Sequence, residues 1–114
     1  MALREAIREK VEWILTRYCA RRVPIKVRDK IQLGYRFRGS SVTLFECRPM
    51  VRDPTVWTKS AVAQSRFDPQ TLLWTLYCRD RNTRWHRYDK IHPSPDLNDL
   101  LREVDEDPTG IFWG

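Results

Sequence analysis

The fold is decided by residues 29–47, which read DKIQLGYRFRGSSVTLFEC. Polar and apolar side chains alternate along the first half, which is typical of a strand that is buried on one face only. The apolar set is Ile31, Leu33, Tyr35 and Phe37, and the polar set is Lys30, Gln32, Arg36 and Arg38. Turn residues follow at 39–41, and residues 42–47 resume an apolar strand. The stretch therefore predicts a β-hairpin, with strands at 29–38 and 42–47, whose outer face is basic.

Three more strands are predicted after this hairpin. Residues 56–67 read as a long, rather polar strand, and residues 72–79 are apolar on both faces, which favours an interior position in the sheet. Residues 84–89 complete a second hairpin through the turn at 80–83. Pro49 is expected to end the second strand, because proline has no N–H to donate to a strand ladder.

A helix is predicted on each side of these strands. Residues 3–22 carry an apolar stripe at helical spacing, and they end in Arg21 and Arg22 before Pro24. Residues 96–106 carry a second stripe, with Asp96 as the expected N-cap. An apolar tail occupies residues 111–114. We therefore expect a single α+β domain at 1–114, with an antiparallel sheet of about five strands flanked by an N-terminal and a C-terminal helix.

The net charge of +6 is unevenly distributed along the 114 residues. Residues 1–52 hold 13 Lys+Arg against 5 Asp+Glu, giving +8, and residues 53–95 hold 7 against 4, giving +3. Residues 96–114 hold one base against six acids, giving −5. A basic body favours polyanions as partners, unless the acidic segment lies against the basic sheet and neutralises it.

The three cysteines, Cys19, Cys47 and Cys78, are an odd number without paired spacing, so no disulfide framework is expected. The N-terminal residues lack the apolar run of a signal peptide, and no segment is long and apolar enough to span a bilayer. We expect a cytoplasmic protein with no membrane partner. No spacing typical of a metal or cofactor site is present, so no cofactor is expected.

Several segments resemble the bacterial family called domain of unknown function 3024. They are ECRP at 46–49, the strand at 57–67, WTLYCRDRNTRWHRYD at 74–89 and EVDEDPTGIFWG at 103–114. The resemblance covers nearly the whole chain and implies a bacterial, single-domain, non-secreted protein. The family implies no activity, cofactor or catalytic residue, so function has to come from the residues themselves.

The densest constellation of functional side chains is the second hairpin, where arginines and aromatic residues are interleaved. Cations that follow phosphates and rings that stack on bases are what single-stranded nucleic acid binding needs. We therefore expect binding of RNA or single-stranded DNA. The residues predicted to take part are Arg36, Arg38, Arg48, Arg79, Arg81, Arg84, Trp85 and Arg87. The alternative for this hairpin is a charge-paired structure in which Asp80 and Asp89 bracket the arginines and Trp85 is buried.

A second hypothesis is a non-catalytic protein-interaction module. It uses the acidic C-terminal helix and the aromatic residues Trp13, Phe112 and Trp113 as anchors, because aromatic side chains dominate interface energetics. The alternative is that Phe112 and Trp113 fold back onto the domain's own sheet, and that Trp13 is shielded by Arg17.

A third hypothesis is a metal-dependent nuclease. Glu46, Asp80, His86 and Asp89 would hold Mg²⁺ and activate water if they converged. No nuclease motif supports this arrangement, and carboxylates beside arginines are more often ordinary ion pairs, so a non-enzyme is favoured.

Overall fold

The computed structural model describes residues 3–113, and its elements follow in a simple order. They are α1 (Glu5–Arg22), a 3₁₀ turn (Ile25–Val27), β1 (Gln32–Arg38), β2 (Ser41–Pro49), β3 (Trp57–Asp68), β4 (Leu73–Arg79), β5 (Trp85–Arg87) and α2 (Leu97–Glu106). The predicted α+β class is confirmed, as is a five-stranded antiparallel sheet with a helix toward each end of the chain. No helix within residues 3–113 has the length and apolar character to cross a lipid bilayer.

The sheet is a meander in which every strand pairs antiparallel with the next, in the order β1-β2-β3-β4-β5. One irregularity interrupts the pairing of β2 with β3. Leu44 lies opposite Ala63 and Phe45 opposite Ala61, so that Val62 is an extra residue. Such a bulge bends the strand and increases its twist, and here both Val62 and Ala63 are buried.

Both helices pack on one face of the sheet. The apolar stripe of α1 and that of α2 meet alternate strand residues in one core. The helix residues are Val11, Ile14, Leu15, Tyr18, Leu97, Leu100, Leu101 and Val104, and the strand residues include Val42, Leu44, Phe67, Trp74, Leu76 and Cys78. Asp96 caps α2 as expected, because its side chain accepts a hydrogen bond from the Asn98 N–H.

The two helices are also joined by a polar contact at Asp105. The Tyr18 hydroxyl donates to Asp105 Oδ1 at 2.6 Å, and the side chains of Arg21 and Arg22 lie 3.6 Å from the same carboxylate. Burial of the hydroxyl, followed by its hydrogen bond to Asp105, raises the pKa of Tyr18 far above its ordinary value. The acidic helix is thereby held against α1, on the helix side of the sheet.

The C-terminal tail folds back onto this core. Phe112 is 7% exposed, and its ring centroid lies 5.0 Å from that of Tyr88. The Trp113 indole N–H donates to the Val104 carbonyl at 2.8 Å, and the Asp107 carboxylate accepts from the backbone N–H groups of both tail residues. Gly114, the last residue of the predicted tail, lies outside the described residues.

Two differences between the predicted and the observed strand boundaries have a clear structural cause. β1 begins at Gln32 instead of residue 29, because the chain first makes the 3₁₀ turn and a second turn in which the Val27 carbonyl accepts from Lys30 and Ile31. The other predicted bounds differ from the observed ones by at most two residues, and β5 is limited to Trp85–Arg87.

β2 continues through Pro49 instead of ending before it. The Met50 N–H donates to the Val56 carbonyl on the β3 side, so the nitrogen of Pro49 points toward the other edge of β2. No residue of β1 lies opposite Pro49, because the pairing of β1 with β2 begins at Gln32 and Cys47. The missing N–H of proline therefore removes no ladder hydrogen bond.

Candidate functional site

The face of the sheet opposite the helices is covered by no element of the described chain, and we call it the open face. Cross-strand partners project to the same face, so the register identifies its members. The central row is Arg36, Thr43, Gln64, Tyr77 and Arg87, and the row below it is Arg38, Ser41, Arg66 and Thr75. Above the central row, Gly34, Phe45 and Ala61 form one set, and Arg79 pairs with Trp85. Five arginines from four strands thus share one surface.

Three of these arginines lie over aromatic rings of the open face. The pairs, with the distance from guanidinium carbon to ring centroid, are Arg66 over Tyr77 at 3.8 Å, Arg36 over Phe45 at 5.6 Å and Arg79 over Trp85 at 5.7 Å. A guanidinium that lies over a ring is held by cation–π attraction and presents its outer plane to solvent.

A hydrogen-bonded ladder holds the shortest of these pairs in place. Gln64 Nε2 donates to Thr43 Oγ1 at 2.9 Å, and Arg66 Nε donates to Gln64 Oε1 at 2.7 Å. Within residues 3–113, the terminal nitrogens of Arg66 make no hydrogen bond, so their donors remain free. The Arg66 side chain is therefore partly ordered in the free protein, so a ligand that contacts it loses less binding free energy to side-chain ordering.

The charge of the open face is not neutralised locally. Within residues 3–113, none of its five arginines lies within 4.0 Å of a carboxylate oxygen, since all six ion pairs of that range involve other bases. Alternation along β3 also places Lys59 on this face. Of the acidic residues in the five strands, only Asp68 lies on this face. The Asp68 carboxylate accepts from the Gln70 N–H at the end of the sheet. The face therefore has six bases and one acid, which attracts anions.

The acidic segment does not cover this surface. α2 contacts β3 and β4 from the helix side, and its Asp105 is engaged by Arg21 and Arg22 of α1. Glu103 of α2 accepts a hydrogen bond from the Tyr88 hydroxyl at 2.6 Å, and this contact is also on the helix side of the sheet. The −5 segment and the open face thus lie on opposite sides of the sheet.

The structure brings together five of the eight residues that the sequence suggested for nucleic acid contact: Arg36, Arg38, Arg79, Trp85 and Arg87. Arg48 lies on the helix side, and its Nε donates to Glu46 Oε1 at 2.6 Å. Arg48 directly follows the first hairpin in sequence, which suggested that it shares the face of Arg36 and Arg38. The register instead places Arg48 opposite Thr58, on the helix side. Arg81 and Arg84 are exposed in the β4–β5 turn.

Four basic or aromatic members of the open face were not identified from the sequence: Phe45, Lys59, Arg66 and Tyr77. The available signal was the alternation along β3, which places Lys59, Gln64 and Arg66 on one side once the bulge is allowed for. The bulge itself has no clear sequence signal, so this alignment required the structure.

The β4–β5 turn is organised by the Asp80 carboxylate. It accepts from the backbone N–H groups of Asn82 and Arg84 at 2.8 and 3.0 Å, and it lies 2.6 Å from His86 Nε2. The hydrogen bond from the Arg84 N–H, followed by that from His86, lowers the pKa of Asp80 below its ordinary value. These contacts shape the turn that presents Arg81 and Arg84.

The four residues considered for metal-dependent cleavage do not form one cluster, although Asp80 and His86 are in contact. Glu46 is on β2, three strand spacings or about 14 Å from β5, and it contacts Arg48. In the part of the chain that the structure describes, no three His, Cys, Asp or Glu side chains are grouped so that they could hold a metal ion.

The aromatic residues considered for protein interaction are in different environments. Trp13 is 63% exposed on α1, with the Arg17 guanidinium 4.7 Å from its ring centroid. Phe112 is buried, and Trp113 is half-buried beneath Arg22, whose guanidinium carbon lies 4.5 Å from the indole centroid.

Comparison of the chain with curated proteins and with solved structures gives no significant match. Comparison with protein-family models gives a match over residues 3–114, nearly the whole chain, to the model described as Domain of unknown function (DUF3024). The resemblance noted from the segments around Glu46, Trp57, Trp74 and Glu103 is thereby confirmed, and the chain belongs to the DUF3024 family.

Proposed function

We propose that the open face binds single-stranded nucleic acid, either RNA or single-stranded DNA, without catalysis. The observation that carries the proposal is the set of five arginines without carboxylate partners, three of which lie over aromatic rings, on a face that no described element covers.

Each part of this surface matches one part of the ligand. Arginine donates to phosphate oxygens through a planar set of N–H groups, and phosphate contacts supply most of the affinity. Unpaired bases stack on aromatic rings and on guanidinium planes, which the Tyr77–Arg66 pair offers at 3.8 Å. Stacking on a sheet requires bases whose flat faces are accessible, so single strands are favoured over duplexes.

Binding of this kind has a characteristic dependence on salt. Each phosphate contact on a single strand contributes about −0.7 to the slope of log K against log salt concentration, so five arginine contacts predict a slope of about −3.5. Between about 50 and 200 mM salt the affinity should then fall by roughly 100-fold. Fluorescence anisotropy of labelled oligonucleotides of about 12 nucleotides, titrated at several salt concentrations, measures this slope.

A matched pair of variants locates the site. Arg66→Gln removes one charge and one ring-stacked guanidinium from the open face, whereas Arg17→Gln removes the same features from α1, where Arg17 lies over Trp13. We expect Arg66→Gln to weaken binding and to reduce the magnitude of the salt slope by about 0.7, and Arg17→Gln to change neither.

Three results would contradict the proposal: no binding of any oligonucleotide at micromolar protein, a flat salt dependence, or equal effects of the two substitutions. Melting curves of both variants show whether a lost affinity reflects a lost fold.

A further inference from the structure

The β2–β3 hairpin projects beyond both neighbouring strands. β1 begins opposite Cys47, and β4 pairs with β3 only from Gln64 to Asp68. Residues 48–58 lie beyond both neighbours, and with Lys59 and Ser60 at their base they form a two-stranded extension, residues 48–60, which we call the arm. The molecule measures 46 × 29 × 24 Å. From Met50 to Ser60 every residue of the arm is exposed.

The open face continues onto this arm. Phe45 pairs with Ala61, Cys47 with Lys59 and Pro49 with Trp57, so alternation carries the side that holds Phe45 out to Trp57. The arm thus carries Lys59, one of the six bases counted above, and adds a fourth aromatic ring, Trp57, to the same surface.

The Trp57 ring differs from the other exposed or half-exposed tryptophans. Arg17 lies over Trp13, Arg79 over Trp85 and Arg22 over Trp113. Within residues 3–113, no arginine or aromatic ring stacks on Trp57, which is 38% exposed. An indole left without such a partner on a solvated arm is available to stack on a ligand base.

We infer that the arm is a second part of the nucleic acid site, and this inference rests on the function proposed above. The bound strand runs lengthwise along β2 and β3, from the Arg66–Tyr77 pair past Phe45 to Trp57, where one base stacks on the indole and Lys59 contacts a phosphate. The ligand class is accordingly a single strand long enough to reach both ends.

The register sets that length. Phe45 and Trp57 are one strand spacing and four residues apart, which is about 14 Å, and Arg66 and Trp57 are about 27 Å apart along β3. A stacked strand advances about 3.4 Å per nucleotide, so about four nucleotides reach only half of the track, whereas about 12 nucleotides cover it.

The test is a comparison of Trp57→Ala with wild type on oligonucleotides of both lengths. Since one base–aromatic stack contributes about 1–3 kcal/mol, we expect the substitution to weaken binding of the 12-nucleotide strand by about 5-fold or more. Binding of the four-nucleotide strand should not change, because the five arginines attract it to the half of the track that lies away from the arm. Trp13→Ala, which removes an exposed tryptophan on α1, should affect neither length.

A second variant, Lys59→Gln, keeps the experiment informative if Trp57→Ala folds poorly. It should reduce the magnitude of the salt slope by about 0.7 with the long strand and leave the slope with the short strand unchanged. If wild type binds neither strand, the proposed function fails and the arm inference with it. If wild type binds but the arm variants affect both lengths equally, or neither length, only the arm inference is overturned.

Discussion

Replacement of Phe112 by alanine tests whether the C-terminal tail is part of the core or a free anchor for a partner. The ring is 7% exposed and lies 5.0 Å from Tyr88 in a tilted arrangement. A buried phenylalanine removes roughly 150 Å² of surface from water, which at about 25 cal/mol per Å² corresponds to about 4 kcal/mol. Measured Phe→Ala losses in cores are about 3–5 kcal/mol, so we expect about 3–4 kcal/mol here.

The expected change is large for a domain of this size. An unfolding entropy of about 2.1 cal/mol/K per residue over 114 residues gives about 0.24 kcal/mol/K, so the melting temperature should fall by about 12–17 °C. Urea unfolding followed by circular dichroism gives the free energy directly and shows whether the transition remains two-state.

Ile111→Ala is the matched control, since the neighbouring side chain is 44% exposed. It should cost less than about 1 kcal/mol, because a half-exposed side chain leaves only a small cavity. A loss below about 1 kcal/mol for Phe112→Ala would refute the reasoning, because the tail would then contribute little to the core and would be free to bind a partner.

The other predictions concern titration and backbone strain. Burial, followed by the hydrogen bond to Glu103, raises the pKa of Tyr88 to about 12. The unfolded chain therefore releases this proton first, and stability should be lost as the pH rises from about 10 to 12; urea unfolding at these pH values should show a smaller loss in Tyr88→Phe. Thr83 has φ of 64° in an exposed turn, a conformation that is strained for a β-branched residue and unstrained for glycine. Thr83→Gly should therefore raise the free energy of unfolding by about 0.5–1 kcal/mol and the melting temperature by about 2–4 °C. An unchanged melting temperature would contradict the strain argument. The stabilising effect of the Asp80 carboxylate should be present above its unfolded pKa near 3.9 and lost as the pH falls through its lower folded pKa. His86→Ala should raise the pKa of Asp80 toward its ordinary value, which NMR titration of the carboxyl group measures.

The sequence predicted the elements because each has a local pattern. Alternation from Ile31 to Phe37 marks β1, and the spacing of Leu97, Leu100, Leu101 and Val104 marks α2. The boundaries that failed depend on partners distant in sequence. Pro49 remains in a strand because β1 has already ended beside it, which no local pattern can show.

The candidate site was predictable within each hairpin but not across the sheet. Alternation put Arg36 and Arg38 on one face of β1 and separated Trp85 from His86 on β5, in agreement with the register. Which faces coincide depends on the pairing of strands, and the bulge at Val62 shifts that pairing by one residue. Arg66 was missed for this reason.

The meander has a consequence for how the chain reaches its native state. Each strand pairs with its sequence neighbour, so the sheet assembles through short loops, which favours rapid folding. The contact between Tyr18 and Asp105 instead spans 87 positions. Closing that loop costs about 2 kcal/mol more in chain entropy than closing a hairpin of about ten residues. We therefore expect the contact between the helices to form after the strands have paired, and substitutions at Asp105 to act mainly on the unfolding rate.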